Sequence, residues 1–237
     1  MLISVVIPAY NEEESLPNTL DALVSQETRY PYEVVLIDNN STDKTADIAK
    51  SYGQKLNIQI IKESQKGRGA ARQRGFREAK GDIIASTDAD TTVPTHWIES
   101  IGSFFEKDTS SVAITALCHY PSRKISVQLF NGVLFIAFQI FRLIFGNYWL
   151  SGFSFAIKRE TYFEAGEFNS KIDAQEDSEL SMRVSKLGKI EYVPALTVES
   201  SDRRFSDGLL RGLVPYIKTY YYMRQNNVRA TKLDDKR

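Results

Sequence analysis

Four short β-branched runs separated by three helix-patterned stretches fill the first 90 residues, and that alternation leaves few folds open. Residues 3–8 (ISVVIP), 32–38 (YEVVLID), 58–63 (IQIIKE) and 82–88 (DIIASTD) read as strands, the first of them buried. Between the first two, Leu16, Leu20, Leu23 and Val24 recur at helical spacing, with Asn11 or Ser15 as the capping residue. The stretches "KTADIAKSYG", stopped by Gly53, and "ARQRGFREAKG" supply the next two helices. Strands joined through helices by short connections run parallel, and a parallel sheet needs cover on both faces. Ligands of such sheets sit at the carboxyl ends of the strands, where Pro8, Ala9, Tyr10, Asp38 and Asp88 all stand.

After Thr91 the pattern changes. "HWIESIGSFFEK" reads as a helix, "SSVAITALCHYP" as a strand, and residues 125–150 as one long apolar segment. "SGFSFAIKRETYFEAG" is a strand running into a helix, "EDSELSMRVSKLG" a helix ended by Gly188, and "KIEYVPALTVESS" a further strand. With 237 residues, 42% of them apolar and 25% charged, and no repeat or linker, the expectation is one soluble domain of two halves meeting near residue 115.

The formal net charge is zero, which removes any general case for a nucleic-acid partner. The charge is unevenly placed. From Arg203 to Arg237 there are nine Lys/Arg against three Asp, a balance of +6, so the first 202 residues carry −6. A basic tail over 206–237 suits phosphate or anionic lipid, and suits a solvated terminal helix equally well. Cys118 is the only cysteine, which rules out an intrachain disulfide and fits a reducing compartment. The start "MLISVVIPAYNEEE" lacks the basic flank and long apolar run of a signal peptide. The expected location is the cytoplasm, free or peripheral on the cytoplasmic face of the membrane.

Residues 125–141 carry no charge, but a membrane span needs about 20 predominantly apolar residues. At helical spacing Lys124, Gln128, Asn131, Gln139, Arg142 and Gly146 align on one narrow face, interrupted by Phe135. The pattern is an amphipathic helix over 124–146 with a very wide apolar side. A single span would also put Asp88 and any site residue beyond Leu150 on opposite sides of the bilayer, so a span is rejected. Packing into the core and lying in the membrane interface both stay open.

Two carboxylates end the fourth strand, in "IIASTDADTTVP". In an extended segment Asp88 and Asp90 point to the same side and present hard oxygen ligands suited to Mg²⁺ or Mn²⁺ shared with a phosphate. The competing reading is that Asp90 or Thr91 caps the next helix. Lys66, Arg68 and Arg72 lie around a Gly-rich turn entering a helix, where cations and the helix N-terminus favour an anion. Arg72 and Arg74 fit a solvated helix face equally well, so Lys66 and Arg68 are the preferred pair. Asn39, Asn40, Ser41 and Asp43 read as turn-shaping and capping residues.

The segments "VVIPAYNEEESL", "EVVLIDNNSTDKT", "KGRGAARQRGFREAKGDIIASTDADT" and "SGFSFAIKRE…EDSELSMRVSKLGKIEYVP" follow in that order over most of the chain. Together they resemble the family 2 glycosyltransferases, inverting GT-A fold enzymes that use nucleotide-diphosphate sugars. The resemblance implies a Rossmann-like, mostly parallel central sheet flanked by helices, with a smaller acceptor-side part. It assigns residues 1–115 to the nucleotide sugar and 116–205 to the acceptor and the catalytic residues. Pro8, Ala9, Tyr10 and Glu12 then form the first nucleotide loop, Tyr10 flanking the base and Glu12 near the ribose. Asp38 accepts from a base N–H, Asp88 and Ala89 face the donor, and Asp88 with Asp90 holds the divalent cation.

Glu176 and Asp177 open a helix, where acidic residues are favourable on dipole grounds alone. The family's "ED" pair occupies this place, which implies Asp177 as the base for the acceptor hydroxyl and Glu176 as its orienting neighbour. His96 and His119 are less well placed. Some polymerising members carry a Q/R-x-x-R-W motif; "SDRRF" has the basic pair Arg203 and Arg204 but neither the spacing nor the Trp. Contact of Gly152, Arg203 and Arg204 with the diphosphate or acceptor is expected, and processive synthesis is not. The expected activity is transfer of one hexosyl unit to a lipid-linked or membrane-surface glycan. The alternatives are a soluble transferase for a small-molecule or protein acceptor and a catalytically silent nucleotide-sugar-binding module. A sugar nucleotidyltransferase would need a Gly-rich, Arg-containing loop where "AYNEEE" stands.

Overall fold

The computed structural model describes residues 1–122 and 124–200. In chain order its elements are β1 (Ile3–Ala9), α1 (Leu16–Val24), β2 (Tyr32–Asp38), α2 (Thr45–Ser51), β3 (Ile58–Lys62), α3 (Arg68–Glu78) and β4 (Ile83–Ser86). There follow β5 (Thr91–Thr92), α4 (Trp97–Lys107), β6 (Ser111–Thr115), β7 (Cys118–His119) and α5 (Ile125–Phe145). The last are β8 (Phe155–Lys158), α6 (Arg159–Glu164), α7 (Glu176–Val184), β9 (Lys189–Tyr192) and β10 (Val198–Ser200). The large sheet has the order β3-β2-β1-β4-β8-β6-β9. Its pairs are parallel except for β8, which runs antiparallel to both β4 and β6. A small sheet, β5-β10-β7, sits beside it.

Side chains alternate across the sheet, and those of β1, β2 and β4 are covered on both faces, as parallel strands require. Ile3, Val5 and Ile7 of β1 belong to one cluster with Leu16, Leu20, Leu23, Trp97 and Ile101 of α1 and α4. Val6 belongs to the other, with Ala71 and Phe76 of α3, Tyr162 of α6 and Leu180 of α7. Each large apolar side chain buried this way contributes about 1.5–3 kcal/mol. Helices over both faces of a mostly parallel sheet are therefore what this pattern of runs selects. The two halves of the sequence share the large sheet, because β8 of the second half is inserted between β4 and β6.

Two runs that read as single strands are each broken between the sheets. "SSVAITALCHYP" divides into β6 and β7, and "KIEYVPALTVESS" into β9 and β10. The second break is a 3-10 turn at Pro194–Leu196, where Pro194 lacks the N–H that a continuing ladder would need.

The helix α5 is not core. Ile125, Leu129, Val133, Ile136, Ile140, Leu143 and Ile144 are all exposed, Leu143 to 82%. Val127 near its start and Phe138 in its second half are buried, and Phe138 packs on Tyr148, Trp149 and Tyr192. Two residues of the polar stripe turn toward the protein. The Asn131 side chain accepts from the Tyr120 amide and donates to its carbonyl, and Gln139 accepts from the Tyr148 hydroxyl. The usual polarity of a surface helix is thus inverted, and core burial, one of the two placements read from the sequence, does not occur. By length and composition α5 would cross a membrane, but its two ends lead into the same folded body and its buried residues lie along it.

Candidate active site

The register of the parallel strands brings their carboxyl ends level: Ala9 pairs with Asp38, and Val6 with Ser86. Tyr10, Asp38 and Asp88 therefore share one end of the sheet. The Lys66 ammonium lies 5.4 Å from the centroid of the Tyr10 ring, within cation–π range. Asp38 is buried and one of its oxygens accepts the Ser41 amide at 2.9 Å, so it also shapes the turn that follows β2. Glu12 is buried, and its amide donates to Thr45 Oγ1 at 2.8 Å. The Ala89 carbonyl accepts from the Thr19 hydroxyl at 2.8 Å, which pins this loop to α1. Asn39 reaches further than a turn residue. Its amide group donates to the carbonyls of Glu63 and Gln65, and its oxygen accepts the Gly67 amide, holding the Lys66 loop against β2.

The N-terminus of α3 is already occupied by an anion from the protein. The Arg68 amide donates to Asp173 Oδ1 at 2.9 Å. A Cβ on Gly69 would stand 2.2 Å from the Ile172 carbonyl oxygen, so the 169–173 loop rests on the first turn of the helix. The expected approach of a phosphate to these amides does not fit that packing. Lys66 and Arg68 remain as cationic side chains beside the turn.

Arg72 departs furthest from expectation. It is not on a solvated face but buried, with 2% exposure. Its guanidinium donates to Asp88 Oδ1 at 2.6 Å, to the Gly152 carbonyl at 3.1 Å and to Glu176 Oε1, with Nε 3.4 Å from Ser86 Oγ. Arg74, two residues on, is exposed and pairs with Glu78. The peptide of Gly152 then links Arg72 to Asp177, whose Oδ2 accepts the Gly152 amide at 2.7 Å. A Cβ at Gly152 would meet Arg72 Nη2 at 2.6 Å and Asp177 Oδ2 at 3.0 Å, so any side chain there would displace the guanidinium or the carboxylate. Glu176 and Asp177 open α7 as the sequence indicated, and Asp177 Oδ1 accepts the Ser178 amide at 2.7 Å.

Asp88 and Asp90 meet different surroundings. The stretch between β4 and β5 is a turn, not an extended run, so the alternation that would align the two carboxylates does not apply. Asp88 turns to Arg72, while Asp90 lines a cavity of about 380 Å³ with Glu14, Asn18, Thr92 and Glu199. Neither Asp90 nor Thr91 caps a helix, because α4 begins at Trp97 and Thr91 belongs to β5. Among the described residues, Thr87 and Thr91 on either side each bury a hydroxyl without a hydrogen-bond partner. Among the described residues no group of three or more His, Cys, Asp or Glu side chains is set to hold a metal ion. Two carboxylates are too few for an all-protein cage, but they suit a Mg²⁺ or Mn²⁺ completed by water and substrate phosphate.

His119 is exposed and meets Asn131, and His96 precedes α4, so neither joins the site. Arg203, Arg204 and the tail over 206–237 lie outside the described residues.

Comparison with known proteins bears on the family and the fold. The chain is 31% identical over 210 residues to a protein named probable glycosyltransferase YdaM of Bacillus subtilis, covering 81% of this chain and 49% of that one. It is 33% identical over 145 residues to the undecaprenyl-phosphate 4-deoxy-4-formamido-L-arabinose transferase of Pseudomonas fluorescens, covering 55% of this chain and 43% of the other. The chain therefore spans about half the length of these relatives. The mannosyltransferase PcManGT of Pyrobaculum calidifontis, solved with GDP-Man and Mn²⁺, has the same fold. Its TM-score is 0.66 at 22% identity, over 91% of this chain and 64% of that one. The sequence model of glycosyl transferase family 2 matches residues 4–163, two-thirds of the length, and ends before Glu176 and Asp177. The fold is GT-A, and the chain belongs to glycosyl transferase family 2.

Proposed function

We propose that this protein transfers one hexosyl unit from a nucleotide-diphosphate sugar to an acceptor hydroxyl, with inversion at the anomeric carbon. The observation that carries the reading is the meeting of Asp88 and Asp177 through Arg72 and Gly152 at the carboxyl end of the sheet. Tyr10 flanks the base, Asp38 accepts from it, and Lys66 and Arg68 face the diphosphate. Asp88 and Asp90 would hold a divalent cation, which when bound neutralises charge on the departing diphosphate. Asp177 takes the proton of the acceptor hydroxyl as its oxygen bonds to the anomeric carbon. The bond from that carbon to the diphosphate oxygen breaks, and the nucleoside diphosphate leaves with the electron pair. Two amide donors fix the Asp177 carboxylate in place, so orientation is provided before substrate arrives.

The acceptor in this reading is a lipid-linked glycan or lipid phosphate at the membrane surface. An outward apolar face on α5, with polar side chains satisfied on the protein side, suits insertion at the headgroup boundary. The Pseudomonas fluorescens relative is named for an undecaprenyl-phosphate substrate, which agrees. The test is a panel of nucleotide sugars assayed for Mn²⁺-dependent hydrolysis and for transfer to lipid phosphates in vesicles. Turnover of one donor with transfer to lipid is expected. Turnover with transfer only to soluble acceptors would favour the soluble transferase, and binding without turnover the silent module.

A further inference from the structure

The buried guanidinium at the centre of the site has no assigned role in sugar transfer. Arg72 and Glu176 each have 3% of their side chain exposed, and Asp88 has 24%. Around one cation stand Asp88 and Glu176 directly, and Asp177 one peptide away, for a formal balance of −2. Burying an arginine costs several kcal/mol of desolvation that ion pairing only partly returns, so stability alone is a weak reason for this one. The planar fork gives what an ammonium would not: separate donors aimed at Asp88, at Glu176 and at the Gly152 carbonyl. These three acceptors come from the β4–β5 turn, the start of α7 and the loop before β8. The Gly152 peptide passes the contact on, since its carbonyl accepts from Arg72 while its amide donates to Asp177. Hydrogen bonds in such a chain polarise and align one another.

We infer that Arg72 is a positioning residue that ties the donor carboxylate Asp88 to the acceptor-side pair Glu176 and Asp177. It acts through its fork and the Gly152 peptide, and this role rests on the transfer reaction proposed above. Removing the fork leaves each carboxylate on its element but releases their mutual placement. A misplacement of about 1 Å costs on the order of 10²-fold in rate. The base and ribose contacts proposed for Tyr10, Glu12 and Asp38 lie at the ends of β1 and β2, away from the four acceptors around Arg72, which are Asp88, Glu176, Ser86 and Gly152.

The experiment compares wild type with Arg72→Lys and Arg72→Met for donor turnover, UDP and GDP binding, thermal stability, and hydrogen exchange. For Arg72→Met a fall in kcat of about 10²-fold is expected, with the UDP and GDP Kd measured without divalent cation unchanged and Arg72→Lys in between. Peptides covering Gly152 and Glu176–Ser178 should exchange faster in both variants while β1 and β2 stay protected. If Arg72→Met does not fold, Arg72→Lys decides. Wild-type kcat and exchange in a folded variant would overturn the role. So would a nucleotide Kd that weakens in step with the rate, which would make Arg72 a substrate ligand. Should wild type turn over no donor, the proposed reaction fails, while exchange at Gly152 and Asp177 still reports whether Arg72 sets their placement.

Discussion

Asp177 Oδ2 lies 2.7 Å from the amide nitrogen of Gly152, a residue 25 positions earlier in the chain. With Oδ1 taken by the Ser178 amide, the carboxylate is held at both oxygens and retains lone pairs for a substrate proton. Asp177→Asn keeps one acceptor oxygen and loses the second amide contact, worth about 0.5–1.5 kcal/mol. Transfer should fall by about 10²–10⁴-fold. Donor binding, measured by calorimetry with the nucleotide sugar, should hold. Normal transfer by this variant would assign the base elsewhere.

Removal of the cation should act on the donor side. Excess EDTA, and separately Asp90→Ala, should sharply reduce donor turnover and weaken nucleotide-diphosphate binding, with Mn²⁺ restoring the chelated wild type alone. Undiminished transfer in EDTA would exclude Asp88 and Asp90 as metal ligands.

Tyr10 with Lys66 at its ring offers a stacking surface for the base. Tyr10→Phe should leave donor affinity nearly unchanged. Tyr10→Ala should cost about 1–3 kcal/mol, the typical worth of base–aromatic stacking. Equal affinity of the alanine variant in a titration would place the base away from Tyr10.

The exposed face of α5 and the +6 balance after Arg203 should act together on a bilayer. Flotation with anionic vesicles is expected to recover the protein at low salt and less of it as salt rises, because the electrostatic part is screened within about 8 Å at physiological ionic strength. Ile136→Glu with Leu143→Glu should abolish flotation and leave turnover of the free donor intact. A wild type that stays wholly in the soluble fraction would return α5 to the role of a protein-contact helix.

Asp108 supplies a pH prediction remote from the site. Hydrogen bonds from the Ser110 and Ser111 hydroxyls, and from their amides, hold its carboxyl well below the ordinary carboxylate range. A depressed folded value gives stability that is complete above the unfolded pKa near 3.9 and is lost as pH falls from there toward the folded value. Asp108→Asn should therefore flatten the loss of thermal stability below about pH 4. An unchanged acid limb would leave this turn without weight in acid unfolding.

The alternation of runs in the first 90 residues made the parallel part of the sheet legible, because buried parallel strands are apolar throughout and their helices amphipathic. The places of Asp38 and Asp88 at the sheet's carboxyl edge were legible for a related reason, whereas Glu176 and Asp177 were singled out by the family resemblance and not by their helix start alone. Arg72 was left open between an anion-facing cation and a solvated helix face, because its charge suits either. It stands three and four positions before Gly75 and Phe76, both buried, so helical spacing already put it on the inward face. The carboxylates that receive it arrive from 16 and 104 residues away, which no local pattern displays. The direction of α5 was hidden similarly, since a wide apolar side does not tell whether protein or another medium covers it.

The insertion of β8 also has a consequence for how the chain acquires its structure during synthesis. The strands β3, β2, β1 and β4 are complete by Ser86, whereas the partner that covers the second edge of β4 arrives only with Phe155–Lys158. Until then the ribosome-bound chain presents an open strand edge, beside an apolar face of α5 that stays exposed afterwards. Such non-local pairing is slow and leaves intermediates prone to aggregate. A nascent chain halted between Phe145 and Lys158 would show the open edge of β4 together with the apolar face of α5, and the arrival of β8 closes the first of these.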